Sequence, residues 1–171
     1  MLPQAIGLFG PHAAHFWKLI EAVKPGLDGQ TYTFMDNERF QREIAPRGLK
    51  WMNQVYWREM FARAHLATAT SLLRNERWFR GAINNAEDKN FYGFAACFRG
   101  LLEASADSFS CLRKIPGTIA RDAKQLCQAL DGELDVVAVN PDLENELVHY
   151  SHARRKERHL RYITLAPPVN T

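Results

Sequence analysis

Cysteine is scarce. Cys97, Cys111 and Cys127 are the whole supply in 171 residues, and no two of them form a CxxC pair. An odd count without paired spacing argues against a disulfide framework or a structural zinc site and fits a reducing compartment. No apolar run approaches the ~20 residues that cross a bilayer, so no membrane segment is expected. The opening Met1-Leu2-Pro3-Gln4-Ala5-Ile6-Gly7 has no basic stretch ahead of an apolar core and reads poorly as a signal peptide. Together these absences predict a cytoplasmic protein. Also missing are a GxxxxGK[ST] loop, a GxGxxG fingerprint, an HExxH helix and a GxSxG elbow. Nucleotide hydrolysis, dinucleotide chemistry, zincin proteolysis and α/β-hydrolase chemistry thereby lose their usual support, and no cofactor is expected. Internal repeats and low-complexity stretches are absent too.

What is present is ordinary globular material: 46% apolar residues, 24% charged residues and a net charge of +3. A chain of this length buries enough surface to fold without covalent staples, and it reads as one domain over residues 1–165 with a tail at 166–171. The charge balance permits an anionic partner without demanding one.

Helical periodicity dominates. Residues 11–24 predict a first helix ended by Pro25-Gly26, and Asp36 is placed to cap a short helix running to about Ile44. From Leu49, the positions Met52, Val55, Glu59, Ala62, Leu66, Ala69 and Leu73 step by three and four and form an a/d seam. That helix is expected to reach about Ile83, with Asn84-Asn85 and the polar residues to Asn90 as the turn. A second seam follows at Phe91, Phe94, Phe98, Leu101, Ser105, Ser108 and Leu112. Two long helices, within 48–83 and 89–114, joined by a short turn should pack antiparallel.

Pro116 suits the start of a helix running to about Leu130, and Asp142 the cap of a last helix over roughly Leu143 to Leu160. The fold class is therefore an all-α helical bundle with two long antiparallel helices and shorter flanking ones. Tyr32 to Phe34 and Val136 to Val139 carry enough aromatic or β-branched content to form a minor two-stranded element.

Charge segregates near the end. Residues 125–153 hold six acids and no Lys or Arg, whereas residues 154–161 hold Arg154, Arg155, Lys156, Arg158 and Arg161. Acids at a helix start and bases at its end complement the helix dipole, and the basic density exceeds what that needs. Arg154 and His159 stand five positions apart, about 140° around a helix, so they converge on one cleft only when two copies meet. A His can move a proton at an RNA 2′-hydroxyl while an Arg grips the phosphate.

This Arg-x4-His spacing within a helical bundle resembles the HEPN family of small all-α domains. The resemblance implies a homodimer and, in catalytic members, metal-independent RNA cleavage. It places Arg154 and His159 as the catalytic pair; His149 and His152, earlier on the same expected helix, stand as reserves. Arg155 and Arg158 add basic contacts to RNA.

Three further constellations stand out. Arg74, Arg77 and Arg80, interleaved with Trp78 and Phe79, have the spacing to follow phosphates while an aromatic ring stacks on a base. Glu146-x-x-His149 is half of a ferritin-like dimetal signature; Glu59 and Glu103 could add carboxylates, but no second Glu-x-x-His exists. Arg99, Glu103 and Asp107 share a helix face, where Arg99–Glu103 reads as a surface pair. Glu59, the one charge on the first seam, must be paired, with Arg63 one turn on or with another Arg, or lie where the seam opens into a pocket; pairing is favoured.

Three functions follow: a HEPN-like RNA-directed ribonuclease of defence or toxin type acting as a dimer, a noncatalytic helical interaction or regulatory module, and a ferritin-like dimetal bundle.

Overall fold

A helix forms where apolar spacing and end signals agree, and most of the chain satisfies both. The computed structural model describes residues 3–27 and 29–147. Among them are seven α-helices and no strand: α1 (Ala13–Leu27), α2 (Asn37–Glu43), α3 (Leu49–Glu87), α4 (Phe91–Leu112), α5 (Ile115–Arg121), α6 (Ala123–Leu130) and α7 (Pro141–Glu146). Short 3-10 turns cover Gln4–Phe9 and Ala45–Arg47. No helix among the described residues is long and apolar enough to cross a membrane.

The described residues fall into two compact units. One combines the residues up to Thr31 with Thr68–Ser110; the other combines Tyr32–Ala67 with the described residues from Cys111 on. The 39-residue α3 contributes a half to each.

In the first unit, the second half of α3 and α4 form an antiparallel hairpin. Rising positions on α3 meet falling positions on α4. Asn75 bonds the hydroxyls of Ser105 and Ser108, both at 2.9 Å, Trp78 lies over Gly100, and Cys97 lies over Gly81. The turn comes later than Asn84-Asn85 suggested. The Asn85 side chain donates back to the Gly81 carbonyl at 2.7 Å, and the helix runs on to Glu87. Lys89 then takes the left-handed conformation (φ 56°) that ends α3, and Asn90 caps α4 by accepting the Gly93 N–H at 3.0 Å. Ala13, Phe79 and Ile83 form the core beneath the 3-10 turn and α1; Phe9, Phe16 and Trp17 surround the Phe79 ring at 5.0–6.0 Å.

In the second unit, the first half of α3 is covered on two sides. Tyr56, Trp57, Met60 and Ala67 pack with Ile115, Leu126, Ala129, Leu143 and Leu147, while Met52 packs with Phe40 and Ile44. Buried Asn53 explains why Val136 to Val139 is a connector. Its amide donates to the Val136 carbonyl at 2.8 Å and accepts from the Ala138 N–H at 3.0 Å, replacing the partner a strand would need. The segment around Tyr32 to Phe34 likewise forms no strand.

Several boundaries differ from the sequence reading. Pro25 lies inside the last turn of α1, where its missing N–H leaves open only a carbonyl close to the helix end. The helix after Pro116 breaks at Asp122 into α5 and α6. Asn140, not Asp142, caps α7; its side chain accepts the Leu143 N–H at 2.8 Å with Pro141 in the first turn. Residues 148–160 of the expected last helix lie outside the described residues.

The α3 seam is displaced by about one residue. The buried line runs through Asn53, Trp57, Met60, Arg63, Ala67, Ser71, Asn75 and Phe79. Of the expected seam, Met52 and Ala69 are buried and the rest are half-buried. On α4, Ala104 is the one buried side chain among the described residues, and Phe91 points to solvent.

Ala is normally favoured over Gly inside a helix by about 1 kcal/mol. A Cβ at Gly100 would stand 2.6 Å from the Trp78 ring, whereas one at Gly117 in α5 meets nothing within 4 Å. Gly100→Ala is expected to lower stability by about 1 kcal/mol net, and Gly117→Ala to raise it by about 0.5–1 kcal/mol. Urea denaturation measures both.

Candidate functional site

Arg154, His159, His149, His152, Arg155 and Arg158 all lie outside the described residues. Arg74, Arg77 and Arg80 are on α3 in the first unit, in three different situations. Arg74 is exposed and pairs with Asp107 at 2.7 Å. Arg77 is exposed and makes no ion pair among the described residues. Arg80 lies 4.2 Å over the Trp17 ring and is bonded to both Glu21 and Glu76. Its guanidinium thus ties α1 to α3. Trp78 is partly exposed, with its ring over Gly100.

Glu76 is the deepest acid in that cluster, its side chain 3% exposed between Lys24 at 3.2 Å and Arg80. Burial raises its pKa, but hydrogen bonds from Arg80 and Lys24 outweigh burial and hold the carboxyl below its ordinary 4.5. A lowered folded-state pKa means the stabilisation is present above the unfolded value and is lost as pH falls through the folded one. Glu76→Gln should cost about 2 kcal/mol at neutral pH. This is less than the ~3–5 kcal/mol for breaking a wholly buried pair, because Lys24 and Arg80 both reach water. The gap from wild type should hold down to about pH 4.5 and close below it, as read from urea midpoints between pH 7 and 3.

In the second unit, titratable groups knit α7 to α3. The Tyr56 hydroxyl accepts the Asn140 N–H at 2.9 Å and meets Glu144. Burial, then the Glu144 charge, raises the phenol above its ordinary range. Burial also raises the Glu144 carboxyl, against the opposing pull of Tyr56 and Arg63. The phenol, with its proton favoured, anchors α7 to α3 beside Glu144. Glu146 accepts from the Thr118 hydroxyl at 3.0 Å.

Glu59 meets both expectations for it. It pairs with Arg63 at 3.3 Å, accepts the Met35 N–H at 2.6 Å, and lines a cavity. Glu103 is on the surface with Arg99 at 2.8 Å. Among the described residues, no group of three His, Cys, Asp or Glu is placed to hold a metal ion.

Several exposed apolar side chains among the described residues lie on the outer face of α4. Phe91, Phe98, Leu102 and Phe109 are 73, 37, 56 and 64% exposed. With exposed Ala95 and Ala106 they form one stripe at spacings of four, three, four, four and three. The small residues Gly93, Cys97, Gly100 and Ala104 occupy the opposite side, and the first three meet α3 side chains or backbone. Beside the stripe is a groove of about 450 Å³ whose walls include Leu8, Phe9, His12 and Phe98. Exposed apolar patches of this kind mark association surfaces. The aromatic content of α4 is plain in the sequence; which aromatics face outward is not, because the inner face is made of small residues.

The chain matches no known family, no curated protein and no solved structure.

Proposed function

We propose that this protein is a noncatalytic helical interaction module that pairs with a second copy of itself through the outer face of α4. The observation that carries the reading is the apolar stripe from Phe91 to Phe109. The exposed parts of Phe91, Phe98, Leu102 and Phe109 amount to roughly 450 Å² per copy, taking about 200 Å² for a whole aromatic side chain. A standard interface buries about 800 Å² per partner, about 57–65% of it apolar, so the stripe matches the apolar centre of one such interface.

Its pattern is also self-complementary. With a two-fold axis near Phe98 and the helices antiparallel, Phe91 faces Ala106 of the second copy and Ala95 faces Leu102, large against small. Cys97, Cys111 and Cys127 are in no disulfide, which suits a reducing, cytoplasmic setting.

Light scattering at micromolar concentration should find a dimer, and Leu102→Glu should weaken it at least ~10-fold without lowering the melting temperature. Ala95→Lys should do the same. The double variant Ala95→Lys/Leu102→Glu sets the introduced ammonium of each copy against the introduced carboxylate of the other, and it should recover much of the loss. A monomeric wild type, or a dimer indifferent to Leu102→Glu, refutes the reading.

A second reading rests on Arg154-x4-His159, which supports a HEPN-like ribonuclease in which His159 moves the proton and Arg154 holds the phosphate. RNA cleavage in EDTA by wild type, abolished in both His159→Ala and Arg154→Ala, is the outcome that reading requires. Absence of cleavage, or equal cleavage by all three, removes it.

A further inference from the structure

The extended segment after α1 lies along α3 and is fastened at three points. Tyr32 Oη is 2.5 Å from His65 Nδ1, the Phe34 ring lies 4.4 Å under the Arg63 guanidinium, and the Met35 N–H donates to Glu59 at 2.6 Å. Rising segment positions meet falling helix positions, as in an antiparallel pairing. Thr33 and Met35 line a cavity of about 320 Å³, whose other walls are Val55, Arg58, Glu59 and Ala62 of α3 and Arg39 of α2. All of these residues belong to the second unit, so the cavity is independent of the α4 face.

Its chemistry is asymmetric. Met35, Val55 and Ala62 supply apolar surface. Glu59 brings a negative charge, but both its oxygens are engaged, one by the Met35 N–H and the other by Arg63. Arg39 pairs at 2.9 Å with Glu43, a carboxylate that Arg42 also bonds. Arg58 is exposed, and no carboxylate among the described residues pairs with it. Among the described residues, Arg58 is thus the guanidinium at this hollow that no carboxylate pairs, and Thr33 lines the hollow beside it. A guanidinium fork matches a carboxylate in two parallel hydrogen bonds. The volume is at the low end for ligand pockets, room for a single ring or a short chain.

We infer that this cavity binds a small amphipathic carboxylate, its anionic end on Arg58 and its apolar body against Met35, Val55 and Ala62. Thr33 donates a further hydrogen bond to the carboxylate.

The probe is benzoate, titrated into the full chain and followed by backbone amide shifts. A ligand of this size should bind with Kd on the order of 1 mM and move the amides of Thr33, Arg58 and Ala62. Arg58→Ala, at an exposed position, should raise Kd at least ~10-fold with an unchanged melting temperature. Ala62→Leu should block binding by filling the hollow with no change of charge. Benzamide, the neutral isostere, should bind at least ~10-fold more weakly than benzoate. The inference is overturned if benzamide equals benzoate, if Arg58→Ala or Ala62→Leu binds as wild type does, or if benzoate moves no amide in this region.

Discussion

The structure depends on the burial of polar side chains along α3. Asn53, Arg63, Ser71, Asn75 and Glu76 are all buried, and a buried polar group without a partner costs about 1–3 kcal/mol. The surrounding chain is arranged around their partners. Asn53 pins the connector ahead of α7, Arg63 and Glu59 hold the segment after α1, Asn75 sets the register of α4, and Glu76 fixes α1 through Lys24 and Arg80. Apolar packing supplies the larger share of the driving force, yet it is tolerant of small slides. Directional bonds are not, so the polar residues specify which positions meet.

That arrangement bears on function. With α4 packed to α3 by glycine, alanine and cysteine, its large side chains are left on the other side. An inner face of small residues permits close approach of the two helices, and its consequence is an exposed aromatic stripe. In the second unit, the segment fastened at Tyr32, Phe34 and Met35 borders a hollow on α3, and no carboxylate among the described residues pairs with Arg58 there.

The helices themselves were legible because propensity, periodicity and end signals agree over α3 and α4. The all-α class, the antiparallel long pair and the Asp36 cap follow from them; Asp36 accepts the Arg39 N–H at 2.7 Å as its position suggests. The orientation of α3 was not legible, because counting apolar residues passes over Asn53, Ser71 and Asn75, the residues that mark its buried line. The break at Asp122 was hidden for a related reason: the Asp122 carboxylate is bonded by Asn140 and Arg121, and Asn140 is 18 positions further along the chain. The cavity at Arg58 is assembled from three separate stretches, and no local pattern announces it. The Arg154–His159 spacing is readable in one dimension and lies outside the described residues.

Self-association through α4 is tested most directly by amide hydrogen exchange at increasing protein concentration. The account predicts that protection rises with concentration across 91–109 of α4 and stays constant in α5 and α6. Protection in α4 that does not depend on concentration, or a rise confined to other helices, would contradict it.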